Sequence, residues 1–167
     1  MKIPSMCSGK LTLTGMLAGC LLMAATIPAQ AGLGADAGSV DADVTAMHGA
    51  MAQPTADELP QQSGSYNVKT FVTGSGTTVH EYSAPSGTVF AVSWRGHRPP
   101  DLSVLLGAYY SEYSSASAVE GHRDLHRAMV ATPNIVVTMG GHMGHAAGSA
   151  YVPSLVPSGV DAKAVVK

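Results

Sequence analysis

Between Tyr66 and Tyr110 the apolar residues first alternate and then change period. From Tyr66 to Thr73, Val68, Thr70 and Val72 fall on one side of a pleat and Lys69 and Phe71 on the other. Gly74-Ser75-Gly76 is a tight connection, and Thr77 to Ser83 carries the β-branched and aromatic residues that suit strands. Ala84-Pro85-Ser86-Gly87 has the chemistry of a turn, with proline presetting φ and glycine closing it. Thr88 to Trp94 places Phe90, Val92 and Trp94 on one face and Val89, Ala91 and Ser93 on the other. Both faces are largely apolar, which predicts a central strand covered on both sides. Two hairpins in succession make an antiparallel meander. After Pro99-Pro100 the period lengthens. Leu102, Leu105, Leu106, Tyr109 and Tyr113 recur at helical spacing behind Asp101, which stands at an N-cap position. Gly107 weakens that helix by about 1 kcal/mol relative to alanine. The leucine and tyrosine stripe reads as core packing.

The flanking segments are less regular. Gly32 to Met51 is a helix candidate, with Ser39 as cap and Val40, Val44, Met47 and Met51 on one stripe. Asp41, Asp43 and His48 fall off that stripe, and the two aspartates complement the positive helix end. Residues 53–65, QPTADELPQQSGS, form a polar linker with two prolines. Ser114 to Ala118 and the run GHRDLHR from Gly121 read as the end of the helix or a surface loop. Asn134 to Met139 is a short strand, Gly140-Gly141 a turn, and Gly148 to Val152 a further strand. Asp161 to Lys167 forms a last turn of helix or frays. The expected fold is a small α+β domain over residues 66–167. An antiparallel sheet of four to five strands carries one packed helix, and the N-terminal helical segment, 32–52, docks more loosely.

The first 31 residues change the picture of where the chain works. Lys2 and Lys10 give a positive start, Leu11 to Ala25 is apolar, and Ala29-Gln30-Ala31 is a cleavage pattern, so a signal peptide ending at Ala31 is expected. The apolar run is too short to span a bilayer comfortably. Leu17-Ala18-Gly19-Cys20 also matches a lipidation pattern, which would anchor the chain through Cys20, although the apolar run continues past that cysteine. Cleavage after Ala31 removes both Cys7 and Cys20, and with them any disulfide, zinc–thiolate site or catalytic thiol. It also leaves seven basic residues against eleven acidic ones, a net charge of −4 with histidines neutral. A mildly acidic domain does not bind nucleic acid by default.

Histidine is the chemically suggestive residue type. His122 and His126 are spaced by four, and His142 and His145 form an HxxH among glycines. Neutral imidazoles from two such pairs are zinc or copper ligands in principle. Arg123 and Arg127 stand beside the first pair and repel a cation, so no site tighter than about micromolar, roughly 8 kcal/mol, is expected. Trp94-Arg95-Gly96-His97-Arg98 is a basic cluster able to meet an anion, but it reads as a core tryptophan followed by the solvated exit of a strand. No phosphate-binding loop, dinucleotide fingerprint or nucleophile elbow is present, and no cofactor is implied. Glu81 and Asp101 are the carboxylates nearest the core elements, and nothing in their spacing supports a glycosidase pair. The chain offers no recognisable catalytic constellation.

The runs FAVSWRG, PDLSVLLGAYY, GGHM and AYVPSLVPSGV, with GLGADAGSVDAD behind the leader, resemble a family of small exported bacterial proteins, the domain-of-unknown-function family 2844. The resemblance covers nearly all of the chain beyond the leader. It implies one exported domain and assigns no activity and no functional residues. Of the candidate histidines, His142 alone falls in a run that resembles the family. The reading that follows is a periplasmic or cell-surface module, binding or structural and without catalysis, whose partner would be a protein or a component of the cell envelope.

Overall fold

The computed structural model describes residues 32–52, 65–120 and 127–166. The expected leader and the 53–65 linker, apart from Ser65, lie outside these residues. The strands are β1 (Ala50–Met51), β2 (Asn67–Val72), β3 (Thr78–Ser83), β4 (Val89–Gly96), β5 (Arg127–Ala131), β6 (Val136–His142) and β7 (His145–Tyr151). They form one antiparallel sheet in the order β1-β2-β3-β4-β7-β6-β5. The sheet is thus seven strands wide rather than four to five. All five expected strands are present. The two additions are the edges: β1, in a stretch whose methionine falls on a helical stripe, and β5, which follows a polar run. Residues 67–96 form one meander and residues 127–151 a second, and β4 and β7 join them in the middle.

Strand β4 shows why the sheet needs cover on both faces. Opposite β3, Tyr82 pairs with Ala91 and Ser83 with Val89, so Phe90 is an extra residue in the ladder. The bulge breaks the strict alternation read from the sequence. Val89, Val92 and Trp94 join one core, while Phe90 and Ala91 turn to the opposite one. The expectation that Phe90 shares a face with Trp94 is therefore wrong, because period-2 reasoning cannot see an inserted residue.

The Trp94 face is covered by α1 (Val40–Ala46), α2 (Leu102–Leu105) and α3 (Tyr110–Glu120). Asp101 caps α2 as expected, accepting from the Ser103 amide at 2.9 Å. The single helix expected from Leu102 onward is broken. Gly107 takes a φ of +51° and a 3-10 turn, Gly107–Tyr109, separates α2 from α3. The break frees the Leu105 carbonyl, and Leu33 donates its amide to it at 3.1 Å. From there the N-terminal segment runs beside the start of β4, with Gly34 donating to the Val89 carbonyl and Val89 to that of Ala35, both at 2.9 Å. Helix α1 is shorter than the 32–52 segment expected, since His48 turns left-handed with a φ of +49° just beyond its end and Ala50 and Met51 pair with β2. Ser39 makes no side-chain cap. Asp36 caps the preceding turn instead, accepting from Gly38 at 2.7 Å.

The second face is closed by the C-terminal segment. A 3-10 turn, Pro153–Leu155, and α4 (Ala162–Val165) bring Leu155, Val160 and Val166 against Tyr82, Phe90 and Tyr66. Tyr66 meets Tyr82 and Phe90 edge to face, with ring centres 6.1 and 6.3 Å apart.

Trp94 is 3% exposed, packed between sheet and helices. Its ring reaches over Gly148 of the neighbouring strand, where an added Cβ would stand 2.3 Å from the indole Cζ2 and 2.8 Å from the Thr138 carbonyl oxygen. Trp94→Ala should cost about 3–5 kcal/mol in chemical denaturation. Gly148→Ala should cost about 1–3 kcal/mol by overpacking, and less in a Trp94→Leu background, which relieves the contact with the indole but not that with the Thr138 carbonyl. Additive penalties in that double-mutant cycle would show that the ring does not lie where the structure puts it.

Candidate functional site

The most perturbed chemistry among the described residues lies under α1. Val40, Asp43 and Met47 share one side of that helix, and all three are buried. Asp43 is 1% exposed, and it faces Glu81 of β3, 2% exposed and on the same side of its strand as Val79. Asp43 Oδ2 and both Glu81 oxygens meet no donor from any other described group. For these three oxygens the facing carboxyl is the polar group at hand, and two carboxylates cannot hydrogen-bond without a proton between them.

Electrostatics agrees with that geometry. Burial, then the Asp43 charge and the hydrogen bond to Asp43, push Glu81 from 4.5 up to about 8, with Lys69 pulling the other way. Burial pushes Asp43 from 3.8 up to about 6, and its hydrogen bond with Glu81 holds it from rising further. Both carboxyls are pushed up, which favours keeping a proton within the pair near neutral pH. Lys69 stands directly across the ladder from Glu81, yet its ammonium donates to the Ala37 carbonyl at 2.6 Å. The pair can store a proton, but its burial keeps any solute from touching it. Sequence reasoning missed it by placing Asp43 off the apolar stripe. The signal was there, since Asp43 stands three residues after Val40 and four before Met47.

The other sequence candidates are dispersed. Asp101 is spent as a helix cap, its pKa held down by the bonds from Ser103, and it does not join Glu81. Arg95 and Arg98 are exposed beside buried Trp94, which is the solvated strand exit expected. His122 and His126 lie outside the described residues. His142 and His145 come together with ring centres 4.8 Å apart. They flank the two-residue turn Met143-Gly144, whereas Gly140-Gly141, expected as a turn, belongs to β6. A third ring joins them. His97, just past the end of β4, lies 5.9 Å from His145 and 2.8 Å, through Nδ1, from the Gly144 carbonyl. No local spacing announces His97, because only the β4–β7 pairing brings it there. Among the described residues no group of three or more His, Cys, Asp or Glu is arranged to hold a metal ion, and two members of the four-histidine set, His122 and His126, lie outside those residues. Nor is any described helix long and apolar enough to cross a membrane.

The carboxyl pair makes stability depend on pH with a definite sign. Both pKa values are raised on folding, so the folded state binds protons that the unfolded state has released. The pair's contribution to stability is then greatest at acidic pH, declines from the ordinary carboxyl values of 3.8 and 4.5, and levels off above about 8. The slope reaches at most about 1.4 kcal/mol per pH unit for each proton. Glu81→Gln keeps a donor for Asp43 without a charge. It should flatten the decline and stabilise by about 1–3 kcal/mol at pH 8, with little effect at pH 5. Urea titrations at the two pH values check this, and an equal effect at both would rule out a shared proton.

Comparison with known proteins adds a family and nothing further. No curated protein and no solved structure matches the chain. A family model matches residues 29–165, which takes in both meanders, their helical cover and the C-terminal segment. The chain belongs to that family, described as a protein of unknown function, DUF2844.

Proposed function

We propose that the protein is an exported module of the periplasm or cell surface, cleaved after Ala31, that acts by binding or by structural support rather than by catalysis. The carrying observation is the placement of its strongest acid chemistry. Asp43 and Glu81, the two carboxyls pushed furthest from their ordinary values among the described residues, are sealed beneath α1 instead of lining a cleft. Catalytic acids with raised pKa values sit where substrate can reach them. Here the perturbation serves packing.

Export rests on the leader pattern, Lys2 and Lys10 followed by an apolar run and Ala29-Gln30-Ala31. The fold is compatible with cleavage there. Gly32 and Leu33 are buried, and an added Cβ on Gly32 would lie 2.6 Å from the Val104 carbonyl, so a chain cleaved after Ala31 would be packed from its first residue. Intact-mass measurement on the exported protein should give a chain starting at Gly32. A diacylated N-terminus at Cys20 would overturn the cleavage and make the protein a membrane-anchored lipoprotein.

A further inference from the structure

The β6–β7 hairpin holds two imidazoles in chelating register. His142 and His145 are directly paired across the ladder, which puts both side chains on one face. Gly144 supplies the left-handed φ, +80°, that lets so short a turn close. Two imidazoles bound to one ion through bonds of about 2.0–2.1 Å have ring centres about 4.5–5 Å apart for angles between square and tetrahedral. The rings here stand 4.8 Å apart. Both are exposed.

The hydrogen bonds around the turn also favour a ligand. In neutral His97, Nδ1 can meet the Gly144 carbonyl only as a donor, which clamps the turn from the next strand. His142 places Nδ1 3.4 Å from the Met143 carbonyl, a contact that does not use Nε2. A ring nitrogen facing a backbone carbonyl while the other keeps its lone pair is the arrangement that orients metal-binding histidines.

We infer that His142 and His145 chelate one divalent late transition-metal ion, Cu2+ in preference to Zn2+, with water completing the coordination and His97 as a positioning residue. Copper leads because imidazole donors follow the affinity order that peaks at Cu2+, and because copper accepts a planar set of two nitrogens and waters. The site is open and bidentate, with Arg98 next to His97 in sequence, so its dissociation constant is about micromolar rather than nanomolar. The inference does not depend on the export or the non-catalytic reading.

Calorimetry on tag-free protein, with Cu2+ and then Zn2+ as probes, tests it. One Cu2+ should bind per chain at about micromolar, and Zn2+ more weakly. His142→Ala and His145→Ala should each weaken Cu2+ binding at least about tenfold, because each removes the partner that a chelate holds at high local concentration. His97→Ala should weaken it a few-fold. His97→Asn, which still offers a donor to Gly144, should restore it. Metal-free melting curves of the surface variants should match the wild type, so that any loss reports ligation and not unfolding. Absence of saturable binding below about a millimolar would overturn the inference. So would binding that survives both His142→Ala and His145→Ala, or binding lost instead with His122→Ala or His126→Ala.

Discussion

A sheet that is apolar on both faces cannot stand in water uncovered, and that requirement shapes the chain. The bulge at Phe90 sends Val89, Val92 and Trp94 to one side of β4 and Phe90 and Ala91 to the other. Each side must exclude water, because leaving side chains of this size exposed forfeits about 1.5–3 kcal/mol apiece. The material available for covering is short. Helix α1 has seven residues, and α2 and α4 have four each, well below the length at which an isolated helix persists in water. These helices exist because the sheet holds them. The sheet stays dry because they are there.

Within that mutual dependence, the acid pair is where the N-terminal cover meets β3. Burying two carboxyls is costly unless they neutralise each other's needs, and a proton held between them reduces that cost. The position of Lys69 makes the point. A cation directly across the ladder could have paired with Glu81, but it serves the Ala37 carbonyl, where it ties the N-terminal segment to β2. The same segment is fastened to Leu105 at the break made by Gly107 and to Val89 beside Gly34 and Ala35. The protonation of Asp43 and Glu81 makes this fastening responsive to pH.

How far the sequence could be read follows from the range of each signal. Local patterns were legible: β2, β3 and the turn at Pro85, the cap at Asp101, and burial of the Trp94 ring. What failed depended on partners distant in the chain or on a single residue out of step. Strand β1 exists because Ala50 and Met51 pair with Val72 and Phe71, a relation no window around Met51 contains. Phe90 breaks a count of two. Asp43 was legible by spacing, but an aspartate in the first turn of a helix is ordinarily solvated, and the usual rule prevailed. Half of the histidine arrangement could be read from HxxH, while His97 waited on the β4–β7 register.

The central claim is that Asp43 and Glu81 share one proton in the folded protein at neutral pH, and side-chain carboxyl carbon shifts report it directly. With 13C-labelled Asp and Glu, the Glu81 carboxyl signal should remain that of the acid at pH 7 and titrate with a midpoint of about 8, while Asp43 titrates at about 6. Two carboxylate signals at pH 7, moving near the ordinary values of 3.8 and 4.5, would contradict the account.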